Sequence, residues 1–368
     1  MKRLLCIISR MDAGGAETFL MKIYRKLDKS LYQMDFCVQV KEEGFYDKEI
    51  KANGGRIFYI TSKSENVKQF KKELFNLVKK ENYQYVMRIT ANAFGLLDLK
   101  IAKKAGAKRC IARSSNSASQ GGIKSALAHV YGRLFFDRFV DAKIAPSDLS
   151  AIYTFGKKAY KSGKVAILNN GIDLGVYAFD KEAGNAVRKE FDLENKFVVG
   201  HIGRFNAQKN HEFLLKVFAE IKKLRPDSML LLVGKGELEQ TVKAQAEALG
   251  ISDSLIFAGV RSDVPALLSA MDAFVFPSFY EGMPNTLIEA QATGLSCIVA
   301  DTITKEANLT GKVKYLSLSD SPETWAKETI SFEKNDRADV SDLFKEKGYD
   351  INSVVEKFTE LVFEKDNK

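Results

Sequence analysis

The chain is poor in histidine and cysteine and has no long apolar run. Three histidines and four cysteines occur in 368 residues. The cysteines, Cys6, Cys37, Cys110 and Cys297, are scattered through apolar runs with no paired spacing. That excludes a disulfide-stapled secreted scaffold and reads as reduced, buried thiols of a cytosolic protein. His129, His201 and His211 form no ligand-like cluster and there is no Asp-x-Asp pair, so no metal site is marked. The longest apolar stretches, such as 230–233 and 273–277, fall far short of the ~20 residues that span a bilayer. The opening MKRLLCIIS begins as a signal peptide would, but apolar residues 4–8 give way at once to Ser9, Arg10 and Asp12. A secretory core needs roughly 7–15 apolar residues, so this segment is expected to be a first core strand. Internal repeats and low-complexity tracts are absent.

What is present is ordinary globular composition, 45% hydrophobic and 28% charged, which excludes a disordered chain. The length suits two domains at roughly 100–200 residues each. The net charge of +9 is unevenly divided. Residues 1–168 carry 32 Lys and Arg against 15 Asp and Glu; residues 169–368 carry 24 against 32. A basic half joined to an acidic half points to an anionic partner for the first: nucleic acid, phospholipid headgroups or a diphosphate-bearing substrate. Lysine-rich solvated helix faces would leave the same imprint.

Short apolar runs alternate with helix-length amphipathic segments. In the first half the runs are 4–9, 34–40, 56–60, 85–90, 109–113, 142–145 and 165–168; in the second they are 197–202, 229–233, 255–257, 273–276 and 297–300. Continuous apolar strands separated by helices predict parallel sheets covered on both faces, and two such sets predict two doubly wound α/β domains. The boundary is expected near 169–180, where N-N-G-I-D-L-G breaks the pattern, and 349–368 is expected to be a helix.

Three segments can carry chemistry. Gly14-Gly15-Ala-Glu17 follows the first strand and opens a helix, where paired glycines and a helix N-terminus suit a phosphate. It is not G-x-G-x-x-G, and no acid ends the second run, so a dinucleotide is disfavoured; a plain strand-to-helix turn is the alternative. Gly203-Arg204-Phe-Asn-Ala-Gln-Lys209-Asn210 puts an arginine and a lysine on one loop, where both can reach one anion; two exposed loop residues would look the same. In Glu281-Gly282-Met283-Pro284-Asn285-Thr286-Leu287-Ile-Glu289, a turn separates the two glutamates, Asn285 is a candidate N-cap, and the amides of 283–287 form a candidate anion site. Carboxylates on either side suit the hydroxyls of a sugar and a ribose.

These segments, with N-G-I-D at 170–173, occur in an order that resembles the retaining, nucleotide-sugar-dependent glycosyltransferases of family 4, over about 1–365. The wording around Gly203 and Glu281 is most similar to bacterial enzymes of exopolysaccharide and capsule assembly. The resemblance implies the α/β GT-B fold: two Rossmann-like domains facing a central cleft, with the final helix crossing back. The first, 1–168 plus 350–368, would bind the acceptor, and the second, 169–349, the nucleotide sugar. It further implies that Arg204 and Lys209 hold the donor diphosphate, Glu289 the ribose, and Glu281 the donor sugar. The amides of 283–287 and the loop at Gly14–Gly15 would contact phosphates and sugar, and Gly203 and the backbone at Val260 and Arg261 would lie along the donor. No cofactor or metal is implied, since Arg204, Lys209 and helix-end amides can replace a divalent ion. The expected partners are a nucleotide-sugar donor, with uridine as base, a glycan or lipid-diphosphate-linked acceptor, and an anionic membrane surface, but no nucleic acid. The expected location is the cytoplasm, at the inner face of the plasma membrane.

One departure stands out. Relatives often carry a pattern resembling H-S-H-N where this chain has Arg113-Ser114-Ser115-Asn116, so Arg113 and Ser115 occupy the histidine positions. A catalytically impaired scaffold and a nucleotide-sugar epimerase are the rival readings; an epimerase would require histidines and acid/base carboxylates in the cleft. Two basic segments, 63–80 and 122–139, carry apolar stripes; the apolar residues are expected in the core and the lysines toward membrane or acceptor phosphate.

Overall fold

A computed structural model describes residues 1–116, 122–281, 283–332 and 337–363. The chain divides into two units, Met1–Gly171 with Gly348–Lys368, and Ile172–Lys347. The division falls inside the N-N-G-I-D segment.

Unit one holds seven strands: β1 (Lys2–Ile7), β2 (Tyr32–Val38), β3 (Ile57–Tyr59), β4 (Tyr85–Thr90), β5 (Arg109–Ser114), β6 (Ala142–Ala145) and β7 (Ala166–Ile167). They form one sheet in the order β3-β2-β1-β4-β5-β6-β7, parallel throughout. Unit two holds β8 (Phe197–Ile202), β9 (Ser228–Val233), β10 (Leu255–Gly259), β11 (Ala273–Phe276), β12 (Cys297–Ala300) and β13 (Val313–Leu316) in the order β10-β9-β8-β11-β12-β13, again parallel. Twelve of the thirteen coincide with the apolar runs. The thirteenth, β13, reads V-K-Y-L and leaves Lys314 exposed. As an edge strand its lack of a continuous apolar run hid it.

The strand period explains the runs. In β1, Leu4 and Cys6 enter one core with Phe19, Leu20 and Ile23, while Leu5 and Ile7 enter the other with Phe70, Leu74 and Val78. Successive side chains point to opposite faces and both faces are covered, so nearly every residue is apolar. All four cysteines are buried and free, and burial raises the pKa of each thiol.

The helix Ile351–Phe363 belongs to unit one. It inserts Ile351, Val354, Phe358 and Val362 into the core of the helix Gly15–Lys26, with the Phe358 and Phe19 rings 6.4 Å apart. Lys2 Nζ and the Arg109 guanidinium donate to its Phe363 and Leu361 carbonyls, satisfying groups that a helix end leaves bare.

The two basic stripes part company. The helix Val67–Lys80 buries Phe70, Leu74 and Val78 as expected. The helix Ile123–Phe136 does not: it buries His129, Gly132 and Phe136, and leaves Leu127, Val130, Tyr131, Leu134 and Phe135 exposed. The expectation that those residues are core is thereby corrected. The cause is Gly132, whose missing side chain lets the helix lie against the Ala93 backbone and selects the face that docks.

Phe358→Ala is expected to cost about 3–5 kcal/mol, the range for emptying an aromatic core site. Urea denaturation monitored in unit one checks it; a loss near zero would mean the terminal helix only rests on that unit.

Candidate functional site

The candidate residues of unit two other than Val260 and Arg261 lie at the carboxyl ends of β8 and β11. These are neighbouring strands, with β9 on the other side of β8, so their loops flank the point where the strand order reverses. Ligands of doubly wound sheets bind at that point.

The loop after β8 is built from its own polar side chains. Asn206 Oδ1 accepts from the Lys209 amide at 3.3 Å, which shapes the turn Ala207–Lys209. Asn210 adopts left-handed φ 55, and its side chain caps the helix His211–Leu224 while donating to the Pro277 carbonyl at 3.2 Å. Gln208 donates to the Tyr280 carbonyl, and its own carbonyl accepts the Phe279 amide, both at 2.9 Å. Three bonds therefore fasten this loop to the one after β11. Of these stitching residues, Gln208 and Asn210 both stand in the loop motif read from the sequence, where neither was given this role.

The stitching brings Lys209 to Glu281, 72 residues on. Lys209 Nζ lies 2.7 Å from Glu281 Oε1, with both side chains largely buried, and 4.4 Å from the Phe276 ring centre. A side chain at Gly203 would meet Lys209 Cε at 2.9 Å, so that glycine makes room for the lysine stem. Removing one member of a desolvated pair strands the other, so these two residues are held firmly. Arg204 differs. It is exposed and meets Glu237 Oε2 through Nη2 at 3.1 Å. Exposed pairs contribute about 0–1 kcal/mol, so this guanidinium can swing to another anion at little cost. Glu237 was missed at the sequence level, although G-K-G-E directly after an apolar run was a usable signal.

The segment after β11 corrects two expectations. Pro284, not Asn285, is the N-cap of the helix Asn285–Ala292, and Asn285 is its first residue. Of the five expected amide donors at 283–287, Pro284 has none, and the Leu287 amide donates to the Pro284 carbonyl at 3.1 Å. Met283, Asn285 and Thr286 stand at the helix start. Glu289 sits mid-helix and is buried. Gln291 anchors that helix by donating to the Ala307 carbonyl at 2.7 Å and accepting the Leu309 amide at 2.8 Å. Gly282 lies outside the described residues.

Val260 and Arg261 follow β10. The Arg261 guanidinium is committed elsewhere: it pairs with Glu190 at 2.6 Å and Asp263 at 2.7 Å.

The histidines are packing groups. His201 Nδ1 lies 2.9 Å from the Val275 carbonyl, and the His211 ring stacks on Phe205 at 4.4 Å, with the two imidazoles 4.9 Å apart. Burial, then the neighbouring His211, holds His201 well below its ordinary range; burial, then Lys209, brings His211 down to about 4. Both are neutral at physiological pH and support the loop as aromatic surfaces. His129 accepts the Ala93 amide through Nδ1 and faces the Tyr153 carbonyl through Nε2. None is presented as the acid or base that an epimerase needs.

In unit one, Gly14 is the N-cap of Gly15–Lys26, and its amide donates to the Asp12 carbonyl at 2.8 Å, so it is not the phosphate donor expected there. The Glu17 carboxylate folds back over Gly14, where any side chain would collide with it. Burial, reinforced by Asp12 and opposed by a backbone hydrogen bond, lifts Glu17 to about 7. This titratable group at the Gly-Gly turn was quoted in the motif but given no role. Arg113 is the penultimate residue of β5, not part of a loop. It is buried, bonded through Nη2 to Asn170 Oδ1 at 2.5 Å and stacked 3.6 Å from the Phe19 ring centre, and burial lowers it to about 9. Ser115 follows it, its amide donating to the Thr90 carbonyl at 2.9 Å.

The strand order and connections define a doubly wound α/β protein with its candidate loops at the reversal point of unit two. The chain belongs to the family Glycosyl transferases group 1, whose model matches residues 185–350. It is 34% identical over 336 residues to the Bacillus subtilis glycosyltransferase EpsF, covering 90% of this chain and 87% of that one. It is 28% identical to an Escherichia coli UDP-Gal:alpha-D-GlcNAc-diphosphoundecaprenol alpha-1,3-galactosyltransferase, covering 73% and 72%. Among solved structures, Anabaena HepE in complex with UDP and glucose superposes with a TM-score of 0.77 at 17% identity over 98% of this chain and 99% of that one, a likeness of fold. The two Rossmann-like units are those of the GT-B fold.

A raised carboxyl pKa makes a pH prediction. Glu17 takes up its proton more readily folded than unfolded, so its burial costs stability as pH rises from the ordinary carboxylate range through about 7. Glu17→Gln is expected to melt above wild type at pH 8 and level with it at pH 4. Equal melting temperatures at both would show that the carboxylate is not desolvated.

Proposed function

We propose that the chain transfers a sugar from a UDP-sugar, with retention of anomeric configuration and without a metal, to a lipid-diphosphate-linked glycan in bacterial surface-polysaccharide assembly. The carrying observation is the Lys209–Glu281 pair, fixed beside Arg204's loop at the carboxyl ends of β8 and β11. Names of relatives support the donor and acceptor classes: one specifies UDP-Gal and a diphosphoundecaprenol-linked sugar, and another, from Staphylococcus aureus, capsular polysaccharide biosynthesis.

In this reading Arg204 releases Glu237 and closes on the donor diphosphate as a planar fork. Lys209 has three N–H donors; Glu281 holds one, and the others face the phosphate oxygens. Two cations supply the charge neutralisation that a departing diphosphate needs, in place of a metal ion. Glu289 takes the ribose hydroxyls, and Glu281, anchored by Lys209, meets the donor sugar. The acceptor hydroxyl bonds to the anomeric carbon on the face from which the diphosphate leaves. The carbon–oxygen bond to the β-phosphate breaks, and a phosphate oxygen takes the hydroxyl proton. UDP and the extended glycan are the products.

The test is nucleotide release and donor binding across UDP- and GDP-sugars, with and without EDTA. Wild type is expected to release UDP from one donor regardless of EDTA. Arg204→Ala is expected to lower that rate by about 10²–10³-fold, the range for losing one charge-stabilising donor, with an unchanged melting temperature because the residue is exposed. Glu289→Gln is expected to raise KM for the donor. Failure to bind any nucleotide sugar would overturn the proposal.

A further inference from the structure

The helix Ile123–Phe136 presents to solvent what a buried helix presents to a core. Ile123, Leu127, Val130, Tyr131, Leu134 and Phe135 recur at intervals of three and four and are 44–81% exposed. That spacing makes one continuous stripe along the helix. The opposite face, His129, Gly132 and Phe136, is docked on the unit, with His129 bonded to Ala93 and Gly132 against its backbone. The stripe is therefore not a helix waiting to turn inward; its outward orientation is set by a fixed inner face. A contiguous exposed apolar surface of this extent marks an interaction site.

The charges around it select the partner. From residue 99 to residue 136 there are eight Lys and Arg and no Asp or Glu; Arg109 and Arg113 are buried in β5 and Lys103 pairs with Asp141 at 2.6 Å, so Lys100, Lys104, Lys108, Lys124 and Arg133 are the cations that remain at least partly exposed. Lys124 is exposed at the start of the stripe. At its other end, Lys100 Nζ lies 5.7 Å and the Arg138 guanidinium carbon 5.1 Å from the Phe139 ring centre. An apolar stripe bordered by cations matches the acyl and anionic headgroup layers of a lipid surface. A twofold pairing of the same face in a second copy would set these cations against each other, and the neighbouring acid Asp137 is already engaged by Lys143 at 2.6 Å.

We propose that the exposed face of Ile123–Phe136 docks unit one on an anionic lipid bilayer, lying in the interface without crossing it. Among the described residues no helix is long and apolar enough to cross a membrane. The inference goes beyond the reaction proposed above and does not rest on it.

The test is co-sedimentation of the full chain with phosphatidylcholine vesicles, alone and mixed with phosphatidylglycerol, without substrates. Wild type is expected to sediment with the mixed vesicles and less with the neutral ones, and to be released by salt. The double variant Leu127→Glu, Leu134→Glu, at two exposed positions, is expected to lose about tenfold or more of that binding while keeping its melting temperature and its nucleotide-sugar binding. Lys124→Glu is expected to weaken mixed-vesicle binding alone. Wild type that ignores anionic vesicles overturns the proposal, as does a double variant that binds them equally well. So does a wild-type dimer that the double variant abolishes, which would assign the face to a second copy. Donor binding on the same samples reports separately on the transferase reading.

Discussion

Burial of both faces of two parallel sheets is the constraint from which the rest follows. A parallel strand must be followed by a crossover, so every strand ends on the same edge of its sheet and every helix lies on a face. In unit two this places the loops after β8 and β11 side by side, since those strands pair directly. Residues 72 apart thereby become ion-pair partners, and Lys209 meets Glu281 at 2.7 Å. The edge also collects glycines. A side chain at Gly203 would strike the lysine stem, and one at Gly234 would strike the Gly203 carbonyl.

The two basic residues of the site are prepared differently. Lys209 is largely buried, seated over an aromatic ring and tied to a carboxylate. Arg204 is exposed and holds Glu237 by a weak surface pair. In the reaction proposed above, a fixed cation beside a movable one suits a ligand that must enter, be neutralised and leave as a more highly charged product. Beneath them the two neutral imidazoles act as flat packing surfaces, with Phe205 carrying the contact from His211 to the loop.

Unit one carries electrostatic costs of its own. Glu17 is desolvated with its carboxyl lifted to about 7, and Arg113 is buried against an amide oxygen and a phenyl ring. Buried charges without a charged partner are costly, and perturbed groups of this kind concentrate at functional sites. Both lie near strand carboxyl ends, and Arg113 reaches Asn170, next to the division between the units.

The amino-acid sequence by itself determined the architecture. Runs such as 197–202 have no polar face, and only a strand covered on both sides tolerates that, so two parallel sheets were legible along with twelve of their thirteen strands. It also determined the chemical inventory of the candidate loops, because Gly203, Arg204, Lys209, Glu281 and Glu289 are spaced as strand-to-loop-to-helix elements. Tertiary structure alone decided which groups meet. Pairing Lys209 with Glu281, Arg204 with Glu237 and Arg261 with Glu190 depends on strand order and loop stitching, which are not local properties. It likewise decided which helix face turns inward. An apolar stripe at helical spacing looks the same in sequence whether it faces core or solvent, and at 123–136 the close approach of Gly132 to Ala93 turned it outward.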